Sequence, residues 1–248
     1  MTVLPRRVLA GTLLRSFAIQ GSWNYRTLIG CGFAVALMPV LRTIYNGRPD
    51  EYQAAVQRHS AVFNSHPYLA PMALGAVSVL EASESPEVVD RFKSAVRGSL
   101  GSLGDRLIWA GFRPVCVLLA LSALMLGASW FLVTGGFLVL YNTGHVATRV
   151  WALRFGLRHG KRLGEQLRTV PVERVQHVMQ SLGAFLLGTC LVLLLAGRPL
   201  TQEVPLAWTL AGIIAAAIGM SFGARCRMPV VLALSACVLI GLVIGVLG

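Results

Sequence analysis

The stretch PVCVLLALSALMLGASWFLVTGGFLVLYNTGHVAT, residues 114–148, contains no Lys, Arg, Asp or Glu. An uncharged run of this length exceeds the roughly 20 apolar residues that a helix needs to cross the hydrocarbon of a bilayer. It is too short for two full crossings, and turn formers interrupt it at Gly127 and at Gly135-Gly136. The segment therefore reads as either one long tilted span or a re-entrant hairpin. Residues 175–197, 204–224 and 228–248 are equally free of charge. Each is long enough for one spanning helix at about 1.5 Å rise per residue.

Upstream the texture differs. Residues 1–113 hold 12 of the basic and 7 of the acidic residues, mixed with short apolar runs at 28–41 and 69–80. Runs of this length fall short of a span and point to buried, re-entrant or interfacial helices sheltered by other protein. The expected fold is an all-α integral membrane protein, with amphipathic and re-entrant helices in the N-terminal half and several transmembrane helices in the C-terminal half. It is expected to form one membrane domain over 1–248, divided by texture into an interfacial part, 1–113, and a mainly spanning part, 114–248.

Composition supports this. Of 248 residues 55% are hydrophobic and 13% charged, against about 25% charged in soluble globular chains. The net charge of +12 is distributed between apolar runs, and no base-stacking motif accompanies it, so membrane orientation explains it better than nucleic-acid binding. Residues 149–174 carry seven Lys or Arg against Glu165 and Glu173, and Arg225 and Arg227 lie in the last turn. Both segments are expected on the cytoplasmic side, with the turn at 198–203 and the C-terminus outside. Arg6, Arg7 and Arg15 flank a stretch in which Leu9, Leu13 and Phe17 share one helical face. That pattern predicts an amphipathic helix on the cytoplasmic membrane surface. The five cysteines show no CxxC spacing and read as small apolar fillers.

Three groups of residues invite a chemical reading. RGSLGSLGD at 97–105 spaces Gly98, Gly101 and Gly104 by three, but it lacks the GK[ST] of a phosphate-binding loop, so close packing or a broken helix end explains the glycines. Asp105, followed by LIWAGF, is expected at a membrane boundary, where a carboxylate is costly unless it pairs or works. RHSAVFNSHPYLAP at 58–71 places His59 on a solvated helix face and Asn64-Ser65-His66-Pro67 in a polar turn, which presents Asn64 and His66 either structurally or to a polar ligand. No further ligands complete a metal site around the histidines. Gly156, Gly160 and Gly164 form a GxxxGxxxG pattern with basic neighbours. It suits helix packing, either within the chain or against a partner. No GxSxG, HExxH or Cys-His set supplies a catalytic centre.

Taken together, GSWNY at 21–25, RHSAVFNSHPYLAP at 58–71, SLGDRLIWAGFRPV at 102–115 and the basic GLRHGKRLG at 156–164 resemble subunit IID of the mannose/fructose/sorbose family of sugar phosphotransferase systems (PTS). The order and spacing match over nearly the whole chain. The resemblance implies a multi-pass subunit of the bacterial cytoplasmic (inner) membrane that pairs with an obligate IIC subunit to form a sugar translocation channel, in trimers of such pairs. Cytoplasmic IIA and IIB, or a fused IIAB, carry the phosphoryl group, and IIB phosphorylates the entering sugar. The subunit itself is then non-catalytic, without a phosphohistidine or a cofactor. Asn64, His66 and Asp105 become the sugar-proximal candidates, while Trp23, Asn24, Gly101, Gly104, Gly156, Gly160 and Gly164 become packing or partner residues. The family usually reads close to LMGPLAGIGDSLFW where this chain has VRGSLGSLGDRLIW, so Arg97, Ser99 and Arg106 depart from it. Arg106 is expected to pair with Asp105 or with an acidic group of a partner. The added cations leave a second reading, a divergent membrane scaffold or regulator that keeps the fold without transporting.

Overall fold

The computed structural model describes residues 4–196 together with Ile214, Ser235, Ala236 and Leu239. Among these the regular structure is helical: α1 Arg6–Ser16, α2 Gly30–Ile44, α3 Pro49–His59, α4 Ala70–Leu80, α5 Pro86–Gly104, a π-helical stretch Asp105–Phe112, α6 Arg113–Met125, α7 Trp130–His159, a 3₁₀ turn Gly160–Arg162, α8 Leu163–Leu167 and α9 Val172–Ala196. The expected spans at 204–224 and 228–248, the turn at 198–203 and the side of the C-terminus fall outside the described residues. Two compact units interleave along the chain. One gathers residues 1–106 and 143–171, the other 107–142 and the chain from Val172 onward.

In the first unit the two short apolar runs become α2 and α4, both largely buried. They need no bilayer-spanning length because α1, α3 and α5 pack around them. Pro39 lies inside α2 and has no N–H to give the carbonyl of Val35. Arg15, from α1, donates to that carbonyl at 3.4 Å, so the helix defect receives an outside donor. The side of α1 packed within the unit is partly polar. Thr12, Ser16 and the following Ile19 are buried while Phe17 is exposed. Polar residues tolerate this because their hydroxyls bond back to their own helix, Thr12 to the Val8 carbonyl at 3.1 Å and Ser16 to that of Leu13 at 2.6 Å.

His59 also departs from expectation, being fully buried rather than on a solvated face. Its Nε2 lies 3.1 Å from Glu81, which ends α4, and Glu81 also receives Arg58 and the Tyr45 hydroxyl, the latter at 2.8 Å. Lys93 of α5 donates to the Arg58 carbonyl at 3.1 Å. One buried carboxylate thus ties together the ends of α2, α3 and α4, and Lys93 adds α5. Burial holds His59 below its ordinary 6.5, against the opposing pull of Glu81. Burial alone would raise Glu81, but hydrogen bonds from His59 and Tyr45 and the Arg58 charge outweigh it and hold the carboxyl below 4.5. Both shifts make protons favour the unfolded chain. Thermal stability in detergent is expected to fall as the pH drops below 6.5, where an unfolded histidine protonates, and again below 4.5. His59→Gln should flatten the upper part of that fall, and a melting series against pH measures it.

Gly75 of α4 and Gly156 of α7 face one another. A Cβ on Gly75 would strike the Leu153 carbonyl, and one on Gly156 would strike that of Met72 and come within 2.9 Å of the Ala76 nitrogen. The helices therefore cross backbone on backbone. The GxxxGxxxG pattern does not continue as one helical face, because α7 ends at His159 and Gly160 takes φ +46° to start the 3₁₀ turn. A Cβ on Gly160 would lie 3.6 Å from a Val79 methyl, whereas one on Gly164 would meet nothing within 4 Å among the described residues. The basic connection is likewise shorter than the sequence suggests, since Arg149, Arg154 and Arg158 belong to α7.

In the second unit the uncharged stretch breaks into two helices, so the single tilted span is excluded. Gly127, at φ +92°, closes α6: its N–H bonds the Leu124 carbonyl at 3.0 Å, and Ala128 N–H bonds that of Ala123 at 3.0 Å. This is a Schellman ending, which needs a left-handed residue at this position. Gly127→Ala should cost about 1 kcal/mol, since a Cβ opposes that conformation, and a melting curve reads it. The continuous helix 86–125 widens to π geometry just before Pro114, which has no N–H for the Ala110 carbonyl. That helix and 172–194 are long and apolar enough to cross a membrane. α6 and α9 pack together, with the Ser122 hydroxyl 3.2 Å from the Cys190 sulfur.

Candidate functional site

The GSWNY and FNSHPYLAP motifs meet in space. Asn24 organises its turn with both ends of its amide: Oδ1 accepts from the Arg26 and Thr27 nitrogens at 2.9 Å each, and Nδ2 donates to the Ser22 carbonyl at 3.1 Å and to the Thr27 hydroxyl at 2.8 Å. The turn ends at Leu28, which takes φ +56°, outside the usual range for a branched side chain. Ile29 N–H then donates to the Phe63 carbonyl at 3.1 Å, and Phe63 N–H to that of Thr27 at 3.2 Å. Asn24 is thus a turn-forming residue at this junction. Trp23 and Tyr25 pack edge to face beside it, 47% and 91% exposed.

Beyond Phe63 the chain runs through Asn64 and Ser65 to His66, whose carbonyl accepts the N–H groups of Leu69 and Ala70 at 2.9 Å each and so starts α4. The His66 ring turns inward and is buried. Its Nδ1 accepts the Tyr68 N–H at 3.2 Å, and burial together with the Arg149 and His145 charges pushes it down to about 4. A neutral imidazole results at physiological pH. Gly104 is what admits it, since a Cβ there would overlap the His66 Cβ and ring. Gly101 sits one turn away, where an added Cβ would lie 3.9 Å from the Ser65 Cα. Two motifs distant in sequence, SHPY and GSLGD, are therefore complementary surfaces.

Behind His66, Tyr68 meets it edge to face and stacks on His145, ring centroids 3.9 Å apart and 10° from parallel. Arg149 follows one helical turn later and is buried. Tyr68, His145 and Arg149 carried no signal in the sequence reading. The histidine and arginine are four residues apart on α7, a spacing that marks a shared face, but charge counting places Arg149 in the basic loop.

The remaining candidates border this core on the outside. Asn64 and Asp105 are exposed and make no side-chain hydrogen bond or ion pair among the described residues. Asp105 begins the π-helical stretch, and Arg106 beside it is also exposed. The expected Asp105–Arg106 pair does not form, since adjacent helical residues point in different directions. Among the described residues no group of three or more His, Cys, Asp or Glu is arranged to hold a metal. Gly104→Ala is expected to displace His66 and lower the melting temperature by several degrees, while Gly98→Ala, facing open space, leaves it unchanged.

Helices that leave Leu126, Trp130, Phe131, Leu132 and Val139 at least 70% exposed are those of a helical membrane protein, in which lipid or another membrane chain covers such surface. The PTS mannose/fructose/sorbose family IID component matches residues 3–195, and the chain belongs to that family. It is 27% identical over 195 residues to the mannose-specific EIID component of Escherichia coli K12, covering 75% of this chain and 67% of that one. It is 25% identical over 213 residues to the sorbose-specific EIID component of Lacticaseibacillus casei, covering 82% and 73%. The chain thus spans about two-thirds to three-quarters of the length of these relatives. Among solved structures it is similar to a chain of the mannose transporter ManYZ in complex with microcin E492, with a TM-score of 0.61, 27% identity and coverage of 77% of this chain and 71% of that one. A second solved membrane protein superposes with a TM-score of 0.67 at 27% identity, covering 76% and 70%.

Proposed function

We propose that this IID component forms, with a IIC subunit, the channel through which a mannose-, fructose- or sorbose-type sugar enters for phosphorylation by IIB. In this reading it carries no phosphoryl group and performs no chemistry itself. The apolar surface on α6, the first half of α7 and α9 carries the reading, because that surface needs a membrane and a membrane partner to cover it. The likeness to a chain of the mannose transporter ManYZ supports the pairing. Basic residues of the 160–174 segment favour the cytoplasmic side, within reach of the phosphorylating IIA and IIB proteins. The assembly is a trimer of IIC–IID pairs in the inner membrane. Asn64 and Asp105, exposed polar groups close in sequence to the buried His66–Gly104 contact, are the sugar-proximal residues of this proposal, and His66 anchors the loop that carries Asn64.

Co-expression with a IIC subunit and purification in mild detergent test the pairing. A stable complex that retains both chains through size exclusion is expected. A chain that purifies alone, with the IIC subunit in the wash, would favour a scaffold outside the transporter. Asn64→Ala and Asp105→Asn should leave the complex intact and lower sugar uptake, and unchanged uptake in both would remove them from the pathway.

A further inference from the structure

Arg149 is 2% exposed and faces no carboxylate among the described residues. Its Nη1 donates to the Ser16 carbonyl at 2.6 Å and to the Ser16 hydroxyl at 3.2 Å, and its Nε to His145 Nε2 at 2.6 Å. The guanidinium also lies 4.7 Å from the Phe17 ring centroid and 5.4 Å from that of Tyr68. One side chain therefore joins the end of α1, the body of α7 and the loop that follows His66. A buried cation without an anion is costly, and an apolar residue of similar volume often serves packing better. The group is retained in a geometry that uses in-plane donors and ring contacts together, which a guanidinium supplies and an ammonium does not.

We infer that Arg149 is a positioning residue for sugar passage: it clamps Tyr68 against His145 and thereby fixes the His66 loop relative to α1. The inference rests on the transport reading above. Tyr68 is the link, since it touches the guanidinium on one side, stacks on His145 and meets the edge of His66, whose other side is closed by Gly104. Loss of the clamp frees the loop bearing Asn64 while leaving the α4–α7 glycine crossing in place. Charge alone is insufficient, so lysine is no substitute.

The test uses the full chain with its IIC subunit and the cytoplasmic PTS components, and labelled mannose, glucose, fructose, sorbose and glucosamine as probes. Uptake is normalised to the amount of assembled complex, and maximal rate and apparent KM are read separately. Arg149→Lys and Arg149→Met are both expected to lower the ratio of maximal rate to apparent KM about ten-fold or more, the scale on which small misplacements act. A merely structural residue would lower the amount of complex and leave the ratio per complex unchanged, and that result would overturn the inference. Should the Arg149 variants fail to assemble, Tyr68→Leu decides. The leucine variant, which removes the ring, should show the full loss, and normal uptake by Tyr68→Leu overturns the inference. No uptake by the unsubstituted complex would overturn the transport reading and this inference with it, whereas normal uptake by Arg149→Lys overturns the inference alone.

Discussion

Glu81→Ala is expected to destabilise the chain by about 3–5 kcal/mol, the cost of removing one partner from a buried ionic group. The carboxylate is the acceptor for Arg58, for His59 at 3.1 Å and for Tyr45 at 2.8 Å. Its removal leaves a cation and two polar groups facing apolar surroundings, with Lys93 adding a second positive charge nearby. For a chain of this size, a loss of that order corresponds to a melting temperature lower by roughly 10 °C. Glu81→Gln keeps one acceptor, enough for Tyr45 or His59 but not both because they bond different carboxylate oxygens, and loses the charge that balances Arg58, so its loss is smaller than that of alanine but still marked. Thermal unfolding in detergent, followed by size exclusion, separates the two. A Glu81→Ala protein that melts with the unsubstituted one would show that the cluster is solvated rather than buried.

Gly156→Leu is expected to cost roughly 3 kcal/mol or more, the upper range for overpacking an interior contact. The atoms in the way are backbone: the Met72 carbonyl and the Ala76 nitrogen on α4. A side chain can change rotamer to make room, but a helix backbone has to move as a body, and Gly75 on the other side leaves no slack because it meets Leu153 and Leu157 in the same way. Gly164→Ala is the matched control. It belongs to the same sequence pattern and meets nothing within 4 Å, so its melting temperature should stay within a degree or two. Equal losses at the two glycines would mean that the pattern, and not the α4–α7 crossing, governs stability.

Much of the architecture was legible because it depends on local pattern. Runs too short to span became the buried α2 and α4, the uncharged run at 175–197 became α9, and the turn signal at Gly127 became the left-handed end of α6. The family was legible too, through GSWNY, FNSHPYLAP and SLGDRLIW. What was not legible depends on partners distant in sequence. Glu81 and His59 are 22 residues apart with nothing periodic to link them, so the histidine looked solvated. Arg149 was grouped with its basic neighbours because counting charges treats every arginine as exposed. It is a hydrogen bond to Ser16, 133 residues earlier, that takes it inside. The glycine triplet failed for a different reason. Spacing by four implies one continuous helix, and Gly160 spends its freedom on a positive φ that ends the helix instead. On α1 the packed side, Thr12 and Ser16, carried no hydrophobic signal, because its hydroxyls are satisfied within their own helix.

If, as we propose, this chain is an obligatory half of a sugar-translocating membrane complex, phosphoenolpyruvate-dependent uptake of labelled sugar depends on its presence. Cells lacking their own mannose-family transporter would be supplied with IIA, IIB and IIC, with and without this chain. Uptake and phosphorylation of at least one of mannose, fructose, sorbose, glucose or glucosamine only when the chain is present is the predicted result. Uptake that is the same without it, or none with a complex that has assembled, would contradict the account.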